Sequence, residues 1–242
     1  MKDRKTFIPK GRQSIPNELL QFGRHLVYSE GTKTEPLYIK DIKRSISKKY
    51  NCSINEIQVI SVNEDAKSYN TISLVEFAEK DVKKRIDNKE IINHVWIFFD
   101  KDDFPINNFI LANSKIENKN NSHDINIDGY NYEIGTNISW HSCFSNESFE
   151  LWLLLYFNYS DSSLTREQYI KKINNVPSLK KINFVYEKNK DSIHTIFSKN
   201  GGSIENAIKN SKKLESLNKT NNPSTCVYKF AEYFKSYMNK DV

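Results

Sequence analysis

The chain has 242 residues, of which 38% are hydrophobic, 12% aromatic and 27% charged, with a formal net charge of +6. That length suits one sizeable domain, or a domain with a smaller companion, and the aromatic share supplies core volume that a disordered chain lacks. Cys52, Cys143 and Cys226 are far apart and form no CxxC pair, which excludes a zinc ribbon and a disulfide framework and suits a reducing cytoplasm.

The charge is unevenly spread. Residues 1–24 carry six Lys/Arg against two acids, residues 166–242 carry fifteen against seven, and residues 25–165 carry fifteen against twenty-one. An acidic centre between basic flanks suits a cation site beside surfaces that hold a polyanion; a lysine-rich surface kept for solubility accounts for the lysines equally well. The charged start, Met1-Lys2-Asp3-Arg4-Lys5, leads into no apolar run of signal-peptide type, and the longest apolar run, Leu151 to Phe157, cannot span a bilayer. A cytoplasmic protein with no membrane association is expected.

In chain order, residues 1–23 read as a basic arm with Gly11 and Pro16 and no clear period. Residues 25–29 form an apolar strand, and Pro36 opens a helix whose Leu37, Ile39, Ile42 and Ile46 make a stripe to about Tyr50. Glu56 to Val62 alternates like a strand, and Ile72, Val75, Ala78, Val82 and Ile86 give residues 71–87 a helical period. The strand 94–99 follows, then a helix over 105–120 with Ile106, Phe109, Ile110 and Ile116 facing inward. Residues 130–138 read as a fourth strand and 146–158 as a buried helix. Beyond residue 160, basic helices are expected near 165–175, 191–198, 203–218 and 224–239, the last capped by Ser224 before Thr225.

Such alternation predicts an α/β fold: a parallel sheet of about four strands, helices on both faces and a C-terminal helical extension. The expected units are the arm 1–23, an α/β domain over 24–160 and a basic helical region over 161–242 packed on it. A 2-1-3-4 strand order makes the first and third strands neighbours, about 5 Å apart, with their carboxyl ends at a crevice.

Both of those ends carry acids. The first strand runs into Glu30-Gly31-Thr32-Lys33-Thr34-Glu35, and the third into Asp100-Lys101-Asp102-Asp103. In an extended chain, residues i and i+2 share a side, so Asp100 and Asp102 can face one cation with Glu30. Asp103 then points elsewhere, towards a helix cap, and stays a candidate ligand. Hard carboxylate donors without thiol or imidazole partners select Mg²⁺ or Mn²⁺ over zinc. Gly31 allows a tight turn in which Thr32 and Lys33 approach a phosphate, with Glu35 close behind. An acidic turn with a helix cap is the plainer alternative. His141 is a further candidate acid or phosphate contact; Ser139 and Ser145 have no convincing triad. The C-terminal aromatics Tyr228, Phe230, Tyr233, Phe234 and Tyr237 read as packing rather than base stacking, and Lys171, Lys172, Lys180, Lys181, Lys212 and Lys213 as backbone contacts or a solvated face.

Ser29 to Tyr38, Phe99 to Asp103, Ser145 to Trp152 and Asn222-Pro223-Ser224-Thr225 with Val227, in this order and spacing, resemble the RloB-like family over about residues 24–235. The resemblance implies a Toprim-type core and a setting in bacterial anti-phage defence. It gives Glu30 the role of metal ligand or general base and acid, and Asp100 and Asp102 the DxD role. Glu150 matches a family motif and is an added candidate for the acidic pocket; Glu147 stands where that motif usually has proline. The function this implies is a Mg²⁺- or Mn²⁺-dependent nuclease acting on DNA or RNA, with an ATPase or another defence protein as a candidate partner. Homo-oligomerisation stays open. The alternatives are a phosphodiesterase acting on a nucleotide signal, and a non-catalytic metal- and nucleic-acid-binding subunit. A receiver domain is disfavoured, because no acidic pair follows the first strand.

Overall fold

The computed structural model describes residues 22–61, 71–101, 105–121, 126–127, 130–131 and 138–238. Asp102 and Asp103, and residues 1–21 of the expected basic arm, lie outside the described residues.

The chain opens with β1 (His25–Ser29), crosses through α1 (Thr34–Tyr50) to β2 (Ile57–Ser61), and returns through α2 (Thr71–Asp87) to β3 (His94–Asp100). It continues through α3 (Ile106–Asn121), a small hairpin of β4 (Asn126–Ile127) and β5 (Tyr130–Asn131), and β6 (Ser139–Asn146). The C-terminal part holds α4 (Glu150–Leu154), α5 (Arg166–Asn174), α6 (Pro177–Lys181), α7 (Ile193–Lys199), α8 (Ile204–Asn218), β7 (Ser224–Thr225) and α9 (Tyr228–Lys235).

The main sheet has the order β2-β1-β3-β6-β7, parallel throughout except for the antiparallel edge strand β7. This is the expected α/β arrangement of the Rossmann-like kind, with β6 as the fourth parallel strand. Successive strand residues face opposite sides, so each strand feeds two cores. Val27, Trp96 and Phe98 pack with Tyr38, Ile39, Ile42 and Ile46 of α1 and with Phe230 and Phe234 of α9. Leu26, Tyr28, Val95, Ile97 and Phe99 pack with α2 and α3 on the other face. Each such side chain taken fully from water contributes about 1.5–3 kcal/mol. Phe22, just before β1, is also buried in the first core, and the C-terminal helices share that core with the sheet. Among the described residues, no helix is long and apolar enough to cross a membrane.

The structure corrects four sequence expectations. The fourth parallel strand is Ser139–Asn146; of the span 130–138, Tyr130 and Asn131 pair with Ile127 and Asn126, and residues 132–137 lie outside the described residues. Ile106 and Ile110 are exposed, and Phe109, Ala112 and Ile116 carry the inner face of α3. Ser224 is not a helix cap: it pairs with Asn146 at the sheet edge, and the last helix begins only at Tyr228. The helix expected over 146–158 is short, Glu150–Leu154.

Candidate active site

The chain passes from β1 to β2 on one side and crosses to β3 on the other, so the strand order reverses between β1 and β3. Open α/β sheets hold their ligands outside the carboxyl ends at such a point. Glu30 follows β1 directly, its N–H donating to the Phe98 carbonyl at 3.2 Å, and Asp100 is the last residue of β3. Lys101 N–H donates to the Ser145 carbonyl at 2.9 Å, which ties the next strand end, and Glu150 beyond it, to the same edge.

These residues line one cavity of about 360 Å³, with Phe149 in its wall. Its near side is the turn from Gly31 to Glu35, ending in the first turn of α1. Ser29 Oγ donates to the Gly31 carbonyl at 2.8 Å and shapes that turn. Thr32 and Lys33 are exposed at the rim, whereas Glu35 is buried, with its carboxylate against Gly31. The far side comes from the C-terminal part of the chain: Arg166 at the start of α5, and Lys188, whose carbonyl accepts a bond from Thr34 Oγ1 at 3.0 Å.

The charges inside are paired. Arg166 Nη2 lies 3.0 Å from Asp100 Oδ2, and its Nε lies 3.5 Å from Glu150 Oε2. Glu150 Oε1 accepts the Tyr186 hydroxyl at 3.0 Å. Burial first, and the Glu150 charge next, push the Tyr186 phenol well above its ordinary range, so it stays protonated and donates. A buried carboxylate is tolerable only with partners of this kind.

The structure therefore brings Glu30, Asp100, Glu150, Glu35, Thr32 and Lys33 to one cavity. Asp102 and Asp103 lie outside the described residues. His141 is not at this cavity. It sits early in β6, stacked on Trp96 at 3.9 Å and bonded to His94 at 3.1 Å, and lines a separate cavity beside α3 and α8. Sequence reasoning missed Arg166, Tyr186 and Lys188. The available signal was that Arg166 is the only arginine after Arg85 in a lysine-rich chain.

Among the described residues, no group of three or more His, Cys, Asp or Glu side chains is arranged to hold a metal ion. The donors at the cavity nevertheless fit a hard divalent cation in kind: they are carboxylate oxygens on adjacent strand ends, with no thiol or imidazole among the lining residues. The cations at the same cavity, Arg166, Lys33 and Lys188, suit a phosphate.

No curated protein and no solved structure matches the chain. The family model described as RloB-like protein matches residues 25–234, and the chain belongs to that family.

Proposed function

We propose that the protein is a Mg²⁺- or Mn²⁺-dependent nuclease that hydrolyses phosphodiester bonds in DNA or RNA, built on a Toprim-type core and used in bacterial anti-phage defence. The observation that carries this reading is the convergence of Glu30 and Asp100, on adjacent strand ends, with Arg166 and two lysines in one cavity. Glu30 and Asp100, with Asp102, would hold the cation, which supplies a polarised phosphate and an acidified water. The proton of the attacking water would pass to solvent or to a Glu30 oxygen that the cation does not engage, and the leaving oxygen would take up a proton from solvent. Arg166, Lys33 and Lys188 bind and orient the phosphodiester, and Tyr186 keeps Glu150 fixed behind Arg166. A partner ATPase, homo-oligomerisation and a cytoplasmic location belong to the same reading. Free Cys52, Cys143 and Cys226 are compatible with a reducing compartment.

A second reading, hydrolysis of a small nucleotide signal, is favoured by the size of the site. A cavity of about 360 Å³ lies at the small end of the roughly 300–1,000 Å³ typical of small-molecule pockets.

Purified protein, Glu30→Gln and Asp100→Asn are incubated with Mg²⁺ or Mn²⁺ and labelled DNA, tRNA and cyclic or linear dinucleotides. Cleavage of a nucleic acid that is abolished by EDTA and reduced at least about 100-fold in both variants supports the nuclease, since even outer-shell partners of a metal cost about 10–100-fold. Consumption of a dinucleotide with nucleic acids left intact selects the second reading. Cleavage that persists in both folded variants would overturn the site.

A further inference from the structure

Arg166 begins α5 at a fixed place. Thr165 and Gln168 form a reciprocal capping box, Thr165 N–H to Gln168 Oε1 at 2.9 Å and Gln168 N–H to Thr165 Oγ1 at 3.4 Å, which sets where the helix starts. From there its guanidinium reaches two carboxylates delivered by different elements, Asp100 at the end of β3 at 3.0 Å and Glu150 at the start of α4 at 3.5 Å. Those side chains are only 12% and 2% exposed, and the Arg166 side chain 22%. Glu150 cannot follow a moving partner freely, because its other oxygen is held by the buried Tyr186 hydroxyl. Asp100 is the member of the pair that ends the strand next to β1, and it lines the same cavity as Glu30. One cation therefore already occupies an oxygen that a divalent ion at the strand ends would need.

We propose that Arg166 is a positioning residue that stands in for the divalent cation. In the cation-free protein it neutralises Asp100 and Glu150 together. When a divalent ion takes Asp100, Arg166 keeps Glu150 and turns its freed N–H groups to the phosphate in the cavity. This rests on the metal-dependent reading above and adds a consequence to it: Arg166 weakens cation binding in the empty site and strengthens phosphate binding in the loaded one. A guanidinium suits this exchange, because its fork of donors pairs with carboxylate and phosphate alike.

The test is calorimetric titration of Mn²⁺ into the wild-type protein, Arg166→Gln, Arg166→Lys and the double variant Arg166→Gln/Asp100→Asn, followed by inorganic phosphate at saturating Mn²⁺. Removing one positive charge beside Asp100 should tighten Mn²⁺ binding about tenfold or more. The lysine variant should stay near wild type, and the double variant should lose the gain. Phosphate binding should weaken in the glutamine variant, which a purely structural arginine would not produce. If that variant is unfolded without cation, the Mn²⁺ dependence of its circular dichroism is read instead, and recovery of the fold at saturating Mn²⁺ supports the exchange. Failure to recover overturns it, as does a glutamine variant that binds Mn²⁺ no more tightly than wild type. If wild type binds Mn²⁺ and the variant is unchanged, only the role of Arg166 falls. If no version binds Mn²⁺, the metal-dependent reading falls with it.

Discussion

The backbone N–H of Glu30 donates to the carbonyl of Phe98 at 3.2 Å, two residues before Asp100. Val27 and Trp96, and Ser29 and Phe98, are register partners, so the two acids leave the sheet from neighbouring rungs of one parallel ladder. Parallel strands lie about 4.8 Å apart, and this ladder is buried on both faces. The spacing of Glu30 and Asp100 is thereby set by the core of the protein rather than by a loop, which is the condition for a preorganised site.

Gly31 tests how closely the turn is fitted to Glu35. A Cβ built at Gly31 would lie 2.7 Å from Glu35 Oε2 and 3.4 Å from its Cδ. The obstacle is the end of a flexible side chain, so Gly31→Ala should displace the Glu35 carboxylate and leave the backbone in place. We expect thermal unfolding to change by less than about 0.5 kcal/mol and cation affinity to change by about tenfold. Unaltered calorimetric binding in the folded variant would remove Glu35 from the site.

Tyr186→Phe deletes the phenol donor of Glu150 without changing the shape of the core. Tyr186 is 1% exposed, and its hydroxyl bonds Glu150 Oε1 at 3.0 Å. A hydrogen bond to a buried charge contributes about 1.5–3 kcal/mol, so the urea midpoint should fall by that equivalent at unchanged slope. Stability within error of wild type would show that Arg166 alone satisfies Glu150.

The sequence carried the β-α-β alternation because β1 and β3 are apolar runs and β2 alternates, with amphipathic helices between them; the pairing of β1 with β3 was inferred from the fold class, and the parallel ladder shows it. The fourth strand was hidden because Ser139–Asn146 is largely polar, and several of its polar side chains are satisfied by tertiary contacts that no local pattern displays: Ser142 by Asn113, Ser145 by Thr225, His141 by His94. Glu30 and Asp100 were legible because each directly follows or ends an apolar strand. Arg166 and Lys188, which line the cavity, and Tyr186, which bonds Glu150 behind it, were not, since they come from a part of the chain more than 60 residues beyond Asp100. His141 was misplaced by the same error in strand register that put the fourth strand too early.

Asp41 is a second point where distant segments depend on one carboxylate. It lies in the middle of α1, is 2% exposed, and accepts Thr195 N–H at 2.8 Å and Thr195 Oγ1 at 2.9 Å. Ser192, the residue before α7, makes no side-chain cap bond, so Asp41 supplies from another helix the acceptor that the first turn of α7 needs. Asp41→Ala should cost about 1–3 kcal/mol, from a lost cap and the partly buried Thr195 donors left without their acceptor. Chemical denaturation measures this; a cost below about 0.5 kcal/mol would show that α7 needs no tertiary cap.

The N-terminal ends of β1, β3 and β6 bring His25, His94 and His141 together, and this cluster should make the fold acid-sensitive. His25 Nε2–H donates to the Phe22 carbonyl at 2.6 Å, and its Nδ1 accepts Trp96 Nε1–H at 3.1 Å, so only the neutral ring satisfies both. Burial lowers all three pKa values, His25 to about 3 and His141 to about 4; the neighbouring histidines add to the shift of His25, and His94 and Lys229 to that of His141. Tyr233, whose hydroxyl meets His94 Nε2 at 3.2 Å, closes the cluster from α9. Unfolded histidine titrates near 6.5, so below about pH 6.5 the unfolded chain binds protons that the folded chain refuses. The stabilising contribution is complete above that pH and is lost as pH falls towards 4 and then 3. Each such histidine gives a slope of at most about 1.4 kcal/mol per pH unit. Urea unfolding from pH 7.5 to 4.5 should show stability falling with pH, and His141→Phe, which keeps an aromatic ring against Trp96, should reduce the slope by up to one proton's worth. Equal slopes for the two proteins would mean that His141 titrates alike in the folded and unfolded chains.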